Sequence, residues 1–134
     1  MKHLAGPSLG IAVLVTAFAS KPALAVNFTQ QQICRAAIGA LMGRDPNIIK
    51  VSKVESGIVH VRYSRPDDGT VWEHRCRIEG QKIVWATESG RWREHPMDEV
   101  ITYAVAGTSV TIGQRYTDGS TVTKSYKAAE LRVK

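Results

Sequence analysis

From residue 70 the chain reads Thr-Val-Trp-Glu-His-Arg-Cys-Arg-Ile-Glu, alternating in polarity at each step from Trp72 onward. Trp72, His74, Cys76 and Ile78 fall on one face, and Glu73, Arg75, Arg77 and Glu79 on the other. A period of two with aromatic and β-branched residues is the pattern of a half-buried strand. Further strands are predicted over residues 48–54, 58–64, 100–105, 110–116 and 120–127, with another running on from Lys82. The turns between them carry their own chemistry. Pro66-Asp67-Asp68-Gly69 suits a four-residue hairpin loop, and Gly80-Gln81 a two-residue one.

Loop length sets register. With Arg65 opposite Thr70, Tyr63 opposes Trp72, Val61 opposes His74 and Val59 opposes Cys76, so apolar residues meet across the inner face. Arg62 against Glu73 and His60 against Arg75 then fall on the outer face. A slip of one residue would invert every side chain, so the match supports this register. The next hairpin places Ile83 beside Ile78 and Trp85 beside Cys76, which predicts an aromatic cluster of Tyr63, Trp72 and Trp85. The last hairpin, through Thr117-Asp118-Gly119, is ambiguous. A two-residue loop and a three-residue loop with a bulge turn opposite faces inward.

Before the strands the period changes. Residues 26–43 read as a helix: Thr29 is the N-cap, Gln32 completes a capping box, and Phe28 with Ile33 forms a hydrophobic staple. Gly43 suits the left-handed position that ends a helix. Cys34, Ala37, Ile38 and Leu41 form one apolar stripe, so Cys34 faces the core. Ala36, Ala37 and Ala40 are small enough to bring the helix close to a sheet. The expected fold is therefore α+β: an N-terminal helix packed on a curved antiparallel meander of six to seven strands, barrel-like if it closes.

Residues 1–25 have the layout of a secretory signal peptide. A polar start at Lys2 and His3 precedes an apolar run, and Ala23-Leu24-Ala25 offers a small-x-small cleavage site. The apolar run is shorter than the about twenty residues a membrane span needs and is interrupted by Gly6, Pro7 and Gly10. Cleavage leaves residues 26–134 as one small domain and removes Lys2 and Lys21, lowering the net charge from +6 by 2 to +4. The expected location is periplasmic or secreted, with no later segment able to span a membrane. In such a compartment the two cysteines, Cys34 and Cys76, read as a structural disulfide joining helix and sheet. Mild basicity without a Lys/Arg block points away from nucleic acid and toward an envelope protein or anionic polymer.

Candidate chemistry is sparse. No Cys-x-x-Cys or His-x-x-x-His spacing suggests a metal, no Gly-x-Ser-x-Gly elbow suggests a hydrolase, and no cofactor motif occurs. His74 is expected to be a hydrogen-bonded structural residue, His60 to be solvated among arginines, and His95 to be exposed before Pro96. The longest irregular stretch, residues 88–98, contains Ser89-Gly90-Arg91-Trp92-Arg93-Glu94-His95. A tryptophan between two arginines on a loop is the kind of group that anchors a partner, because Trp and Arg dominate binding hot spots. The site residues expected on this ground are Ser89, Arg91, Trp92, Arg93 and His95. The bland alternative is that Trp92 folds back as a lid over the core and its arginines are simply solvated. The outer face around His60, Arg62, Arg75 and Arg77 is expected to be solvated unless it lines up with Arg91 or Arg93.

Ser89-Gly90-Arg91-Trp92 also resembles the Ser-Gly loop of periplasmic C-type lysozyme inhibitors, β-rich domains that insert such a loop into the enzyme cleft. The resemblance covers those positions and implies inhibition of a cell-wall hydrolase. The leading expectation is an exported, non-enzymatic binding module. Inhibition of a cell-wall hydrolase, and a small hydrolase using His95 with a nearby carboxylate, are the alternatives.

Overall fold

The computed structural model describes residues 26–132, so the expected leader, residues 1–25, lies outside the described residues. Helix α1 spans Gln30–Met42 and begins as its sequence dictates. The Thr29 hydroxyl accepts the Gln32 N–H at 3.1 Å, and the Gln32 side chain accepts the Thr29 N–H at 2.9 Å. Gly43 ends it at φ 65°, donating its N–H to the Gly39 carbonyl.

Seven strands follow: β1 Lys50–Glu55, β2 Ile58–Ser64, β3 Val71–Glu79, β4 Lys82–Thr87, β5 Val100–Ala106, β6 Ser109–Arg115 and β7 Thr121–Lys127. Each pairs antiparallel with the next in one open sheet, with β1 and β7 at the edges. The β2–β3 and β3–β4 registers are those the loop lengths predict: Val59 opposes Cys76, Val61 opposes His74 and Tyr63 opposes Trp72, while Cys76 opposes Trp85. The ambiguous last hairpin adopts the three-residue form. Tyr116 and Ser120 bracket Thr117-Asp118-Gly119, with Gly119 at φ 87° and its N–H on the Tyr116 carbonyl. The Asp118 carboxylate accepts the N–H and hydroxyl of Ser120, as Asp68 does from Thr70 in the β2–β3 loop.

The first predicted strand, residues 48–54, needs correction. Asp45 caps a 3₁₀ turn at Pro46–Ile48, so pairing starts only at Lys50. Pro46 is locked at a helical φ and the Asp45 carboxylate accepts the Asn47 N–H, which together favour a turn over extension. Strand β1 also carries an irregularity between Val51 and Lys53.

Helix α1 lies across the inner face of the sheet, joined to it by the Cys34–Cys76 disulfide. Around that bond lie Ala37, Ile38, Val59, Val61, Ile83, Ile101, Val110, Ile112 and Leu131, all buried. The aromatic cluster differs from expectation in one member. Tyr63 and Trp85 are buried, but Trp72 is 41% exposed. It sits four residues from Cys76, roughly 13 Å along β3. There its indole N–H donates to the Thr70 hydroxyl at 3.0 Å and Arg65 lies 5.6 Å from its ring.

His74 takes the place expected of Trp72. It is 1% exposed, with its ring parallel to Tyr63 at 6.0 Å and tilted against Trp85 at 6.0 Å. The expected hydrogen bond does not form: neither ring nitrogen has a protein partner among the described residues. His74 is held by aromatic packing, and burial pulls its pKa below the ordinary 6.5.

Arg35 was not foreseen as a core residue. It is 4% exposed in the middle of α1. Its Nε donates to the Ile49 carbonyl at 2.9 Å, Nη1 to Leu131 at 2.7 Å and Nη2 to Pro46 at 2.8 Å. One guanidinium thereby ties the helix to the turn before β1 and to the 3₁₀ turn Ala128–Leu131 that closes the described chain.

Two outcomes follow from this architecture. Replacing both Cys34 and Cys76 by serine is expected to cost about 2–4 kcal/mol in urea unfolding while leaving the far-ultraviolet dichroism native-like. A loss below about 1 kcal/mol would show that packing alone docks the helix. The second concerns acid. His74 binds its proton less readily folded than unfolded, so its contribution is full above pH 6.5 and declines as pH falls below that value. His74→Phe is expected to flatten the fall in urea midpoint between pH 7.5 and 5, and an unaltered slope would assign that fall to other groups.

Candidate functional site

Strand β4 is apolar without alternation, Ile83-Val84-Trp85-Ala86, and is buried on both faces. Ile83 and Trp85 belong to the main core. Val84 and Ala86 stand opposite Arg77 and Arg75 on the outer face. Beyond Ile83, β4 has no ladder to β5, because the two strands share only Lys82–Thr102 and Ile83–Ile101 pairs. The segment from Glu88 to Glu99 occupies that opening. Its Arg93 N–H donates to the Trp85 carbonyl at 2.9 Å, taking up part of the free edge of β4.

Trp92 then lies over the outer face of β3. Its ring is 4.6 Å from the Arg75 guanidinium and 4.3 Å from that of Arg77, an arrangement that gains cation–π attraction and covers both arginine heads. Arg75 donates through Nε to the Thr87 carbonyl at 3.1 Å and through Nη2 to the Gly90 carbonyl. Arg77 bonds Glu79 at 2.9 Å and also pairs with Glu94. At position 90 a Cβ would run into the Thr87 hydroxyl, so a larger residue there needs that side chain to turn away.

Asp98 organises the rest of the loop. Arg91 grips it with two parallel bonds, Nη1 to Oδ2 at 2.7 Å and Nη2 to Oδ1 at 2.9 Å. The His95 N–H adds a third at 2.9 Å, and Arg93 stands 4.0 Å away. The Arg91 bonds, backed by the His95 N–H and both arginine charges, hold the Asp98 carboxyl well below the usual carboxylate range. The same pairing raises the Arg91 pKa.

The five residues expected to form a site thus stand in one loop but do different things. Ser89 is exposed at its start. Arg91 and Arg93 face Asp98, and the Arg93 guanidinium also lies 5.3 Å from the Trp85 ring. Trp92 is half-buried: it folds back, although onto the charged outer face and not onto the main core. His95 is exposed, with Nδ1 accepting the Met97 N–H at 3.1 Å. That bond occupies Nδ1, and the Asp98 carboxylate is engaged by Arg91 and Arg93.

The outer face is not simply solvated, since Arg75 and Arg77 line up with the loop. Nor is His60 solvated among arginines. Its side chain is 12% exposed and its Nδ1 lies 3.2 and 3.3 Å from the two Glu88 oxygens. Reasoning from sequence also missed Met97, which at 73% exposure is the most exposed large apolar residue described. An unbroken apolar run in β4 was the available signal that something must cover its outer face. A shallow cleft of 600 Å³ is lined by Arg91, Trp92, Glu94, His95 and Pro96, and a pocket of 190 Å³ by Trp85, Arg93, Met97, Asp98 and Glu99.

Among the described residues no three His, Cys, Asp or Glu side chains converge as metal ligands, and no helix is long and apolar enough to cross a membrane. Comparison with known protein families, curated proteins and solved structures finds no match to this chain.

The Arg91–Asp98 fork carries an expectation of its own. Asp98→Ala is expected to speed amide hydrogen exchange in residues 91–98 by about tenfold or more while leaving β2, β3 and β6 protected. Uniform acceleration across the sheet would mean that Asp98 supports the whole fold and not the loop.

Proposed function

We propose that the protein is an exported, non-enzymatic binding module of the bacterial envelope that presents the loop from Ser89 to Met97 to a protein partner. One observation carries this reading. The loop is locked before any partner arrives, through the Arg91–Asp98 fork and the seating of Trp92 on Arg75 and Arg77, yet it leaves Met97 exposed at 73%. Binding to a preorganised loop forfeits little conformational entropy, so contacts at its tip convert more fully into affinity. Met97 is an adaptable apolar contact that lines a pocket with Trp85 and Arg93, and the same loop lines the shallow cleft with Trp92, His95 and Pro96.

The charge distribution favours a protein over an anionic polymer. Both loop arginines already face Asp98, and Arg77 faces Glu79 and Glu94. What remains is a mixed polar rim around apolar groups, the usual anatomy of a protein-binding patch. Export is supported by the leader-like residues 1–25 and by a disulfide, which persists in oxidising compartments.

The test compares proteins retained from native envelope extract by the immobilised wild type with those retained by Met97→Glu and Trp92→Ala. A partner enriched by the wild type is expected to fall by at least about tenfold with Met97→Glu, as for loss of a hot spot. Equal enrichment by all three removes the loop as the binding surface. Adding excess protein to a muramidase assay tests the lysozyme-inhibitor version of the same loop, which undiminished activity excludes.

A further inference from the structure

On the other side of the molecule from the sheet's outer face, α1 and the start of β1 enclose a cavity of 240 Å³. Its lining is Gln31 and Arg35 from the helix, Asn47 and Ile49 from the turn before β1, Lys50 and Val51 from β1, and Arg132. The chemistry is one-sided. Three of these residues are cations, two are amides, two are aliphatic and none is a carboxylate.

Arg35 makes the charge difficult to dismiss as surface decoration. It is 4% exposed, and its three bonds go to backbone carbonyls, with no carboxylate in contact. Burial lowers its pKa, and Asp45 only partly offsets this from a distance. A guanidinium has five N–H donors, and the three bonds to Ile49, Leu131 and Pro46 use one on each nitrogen. Each terminal nitrogen keeps a second donor. A buried cation compensated by neutral dipoles alone is an arrangement that an incoming anion improves. Lys50 and Arg132 are exposed and add charge at the mouth.

The volume lies below the roughly 300–1,000 Å³ typical of drug-sized ligands, so the occupant is small. Ile49 and Val51 provide an apolar wall that a bare inorganic anion would leave unused. We propose that this cavity is a binding site for a small aliphatic carboxylate, its anionic end held by Arg35, Lys50 and Arg132 and its short alkyl body lying against Ile49 and Val51. The site is separate from the loop reading and does not depend on it.

The test is a titration of the ¹⁵N-labelled, disulfide-bonded protein with hexanoate, hexanol and inorganic phosphate, followed by two-dimensional NMR. Hexanoate is expected to shift the amides of Gln31, Asn47, Lys50 and Val51 saturably. Hexanol, lacking the charge, and phosphate, lacking the alkyl body, are each expected to bind at least about tenfold more weakly. Lys50→Glu with Arg132→Glu is expected to weaken hexanoate binding by about tenfold or more without moving signals from β2, β3 and β6. If charge reversal perturbs the fold, Lys50→Gln with Arg132→Gln serves in its place, with a loss of about threefold expected. Unsaturable shifts, shifts spread over every basic surface residue, equal binding of hexanol or phosphate, or unchanged binding by the folded variant would each overturn the proposal.

Discussion

Everything else in this molecule is arranged around the close approach of α1 to the sheet. Ala36 and Ala37 are fully buried and carry only a methyl group, so the helix can settle near enough for Cys34 and Cys76 to bond. The bond closes a loop across a sequence separation of 42. It fixes the helix at one point, which leaves rotation about that point unrestrained. Arg35, the next residue, removes that freedom by binding carbonyls before β1 and at the last 3₁₀ turn. A covalent tie and a three-armed polar tie on adjacent residues thus orient one helix against the sheet and against the segments that enter and leave it. An apolar residue in place of Arg35 would take this donor from the Ile49 and Leu131 carbonyls, each at a desolvation cost, while the Pro46 carbonyl keeps the Ile49 N–H at 3.0 Å.

The sheet solves a second problem on its other face. A seven-stranded open meander with one helix can bury only the face that the helix covers. Strand β4 is apolar on both faces and loses its ladder to β5 after two pairs. The loop from Glu88 to Glu99 covers that exposed flank by returning over it, and it does so with charged residues more than apolar ones. Arg75 and Arg77 set their guanidinium groups against the Trp92 ring and donate to carbonyls and carboxylates. Packing and charge pairing are therefore the same contacts here. This explains how two arginines can sit beneath a loop with their guanidinium groups met by acceptors.

Hairpins were the most legible part of the fold because their information is local. A loop length and an Asp-Gly or Gly-Gln pair fix a register, and the alternating pattern checks it at each rung; Tyr63–Trp72 through Val59–Cys76 followed on that basis. The helix and its caps were legible for the same reason. Burial was less so, because it depends on distance from the covering element as well as on which face a residue occupies. Trp72 and His74 share a face, yet the histidine is buried and the tryptophan is exposed. Hydrophobicity alone ranks them the other way. Arg35 did not stand out in the sequence because its partners, the carbonyls of Ile49, Pro46 and Leu131, are announced by no side-chain pattern. In the loop, Arg91, Trp92 and Arg93 were visible as a group, but the role of Asp98 was not. An ion pair seven residues apart inside an irregular segment has no periodicity to reveal it.

These constraints also bear on how the two candidate sites relate. The loop rests on β3 and β4 from outside, whereas the cavity at Arg35 lies between α1 and β1, and Cys76 on β3 is the covalent point joining the helix to the sheet. A close-packed sheet passes strain readily when an element has two arrangements to choose between, and poorly when it has one. Here the helix is held by a disulfide and by Arg35, and the loop by the Arg91–Asp98 fork. Each is tied to a single arrangement by its own local bonds. Occupation of one site therefore has no alternative packing through which to alter the other, and independent binding at the two sites is what the architecture favours. A frame held in this way lets the loop keep its shape whatever the cavity holds.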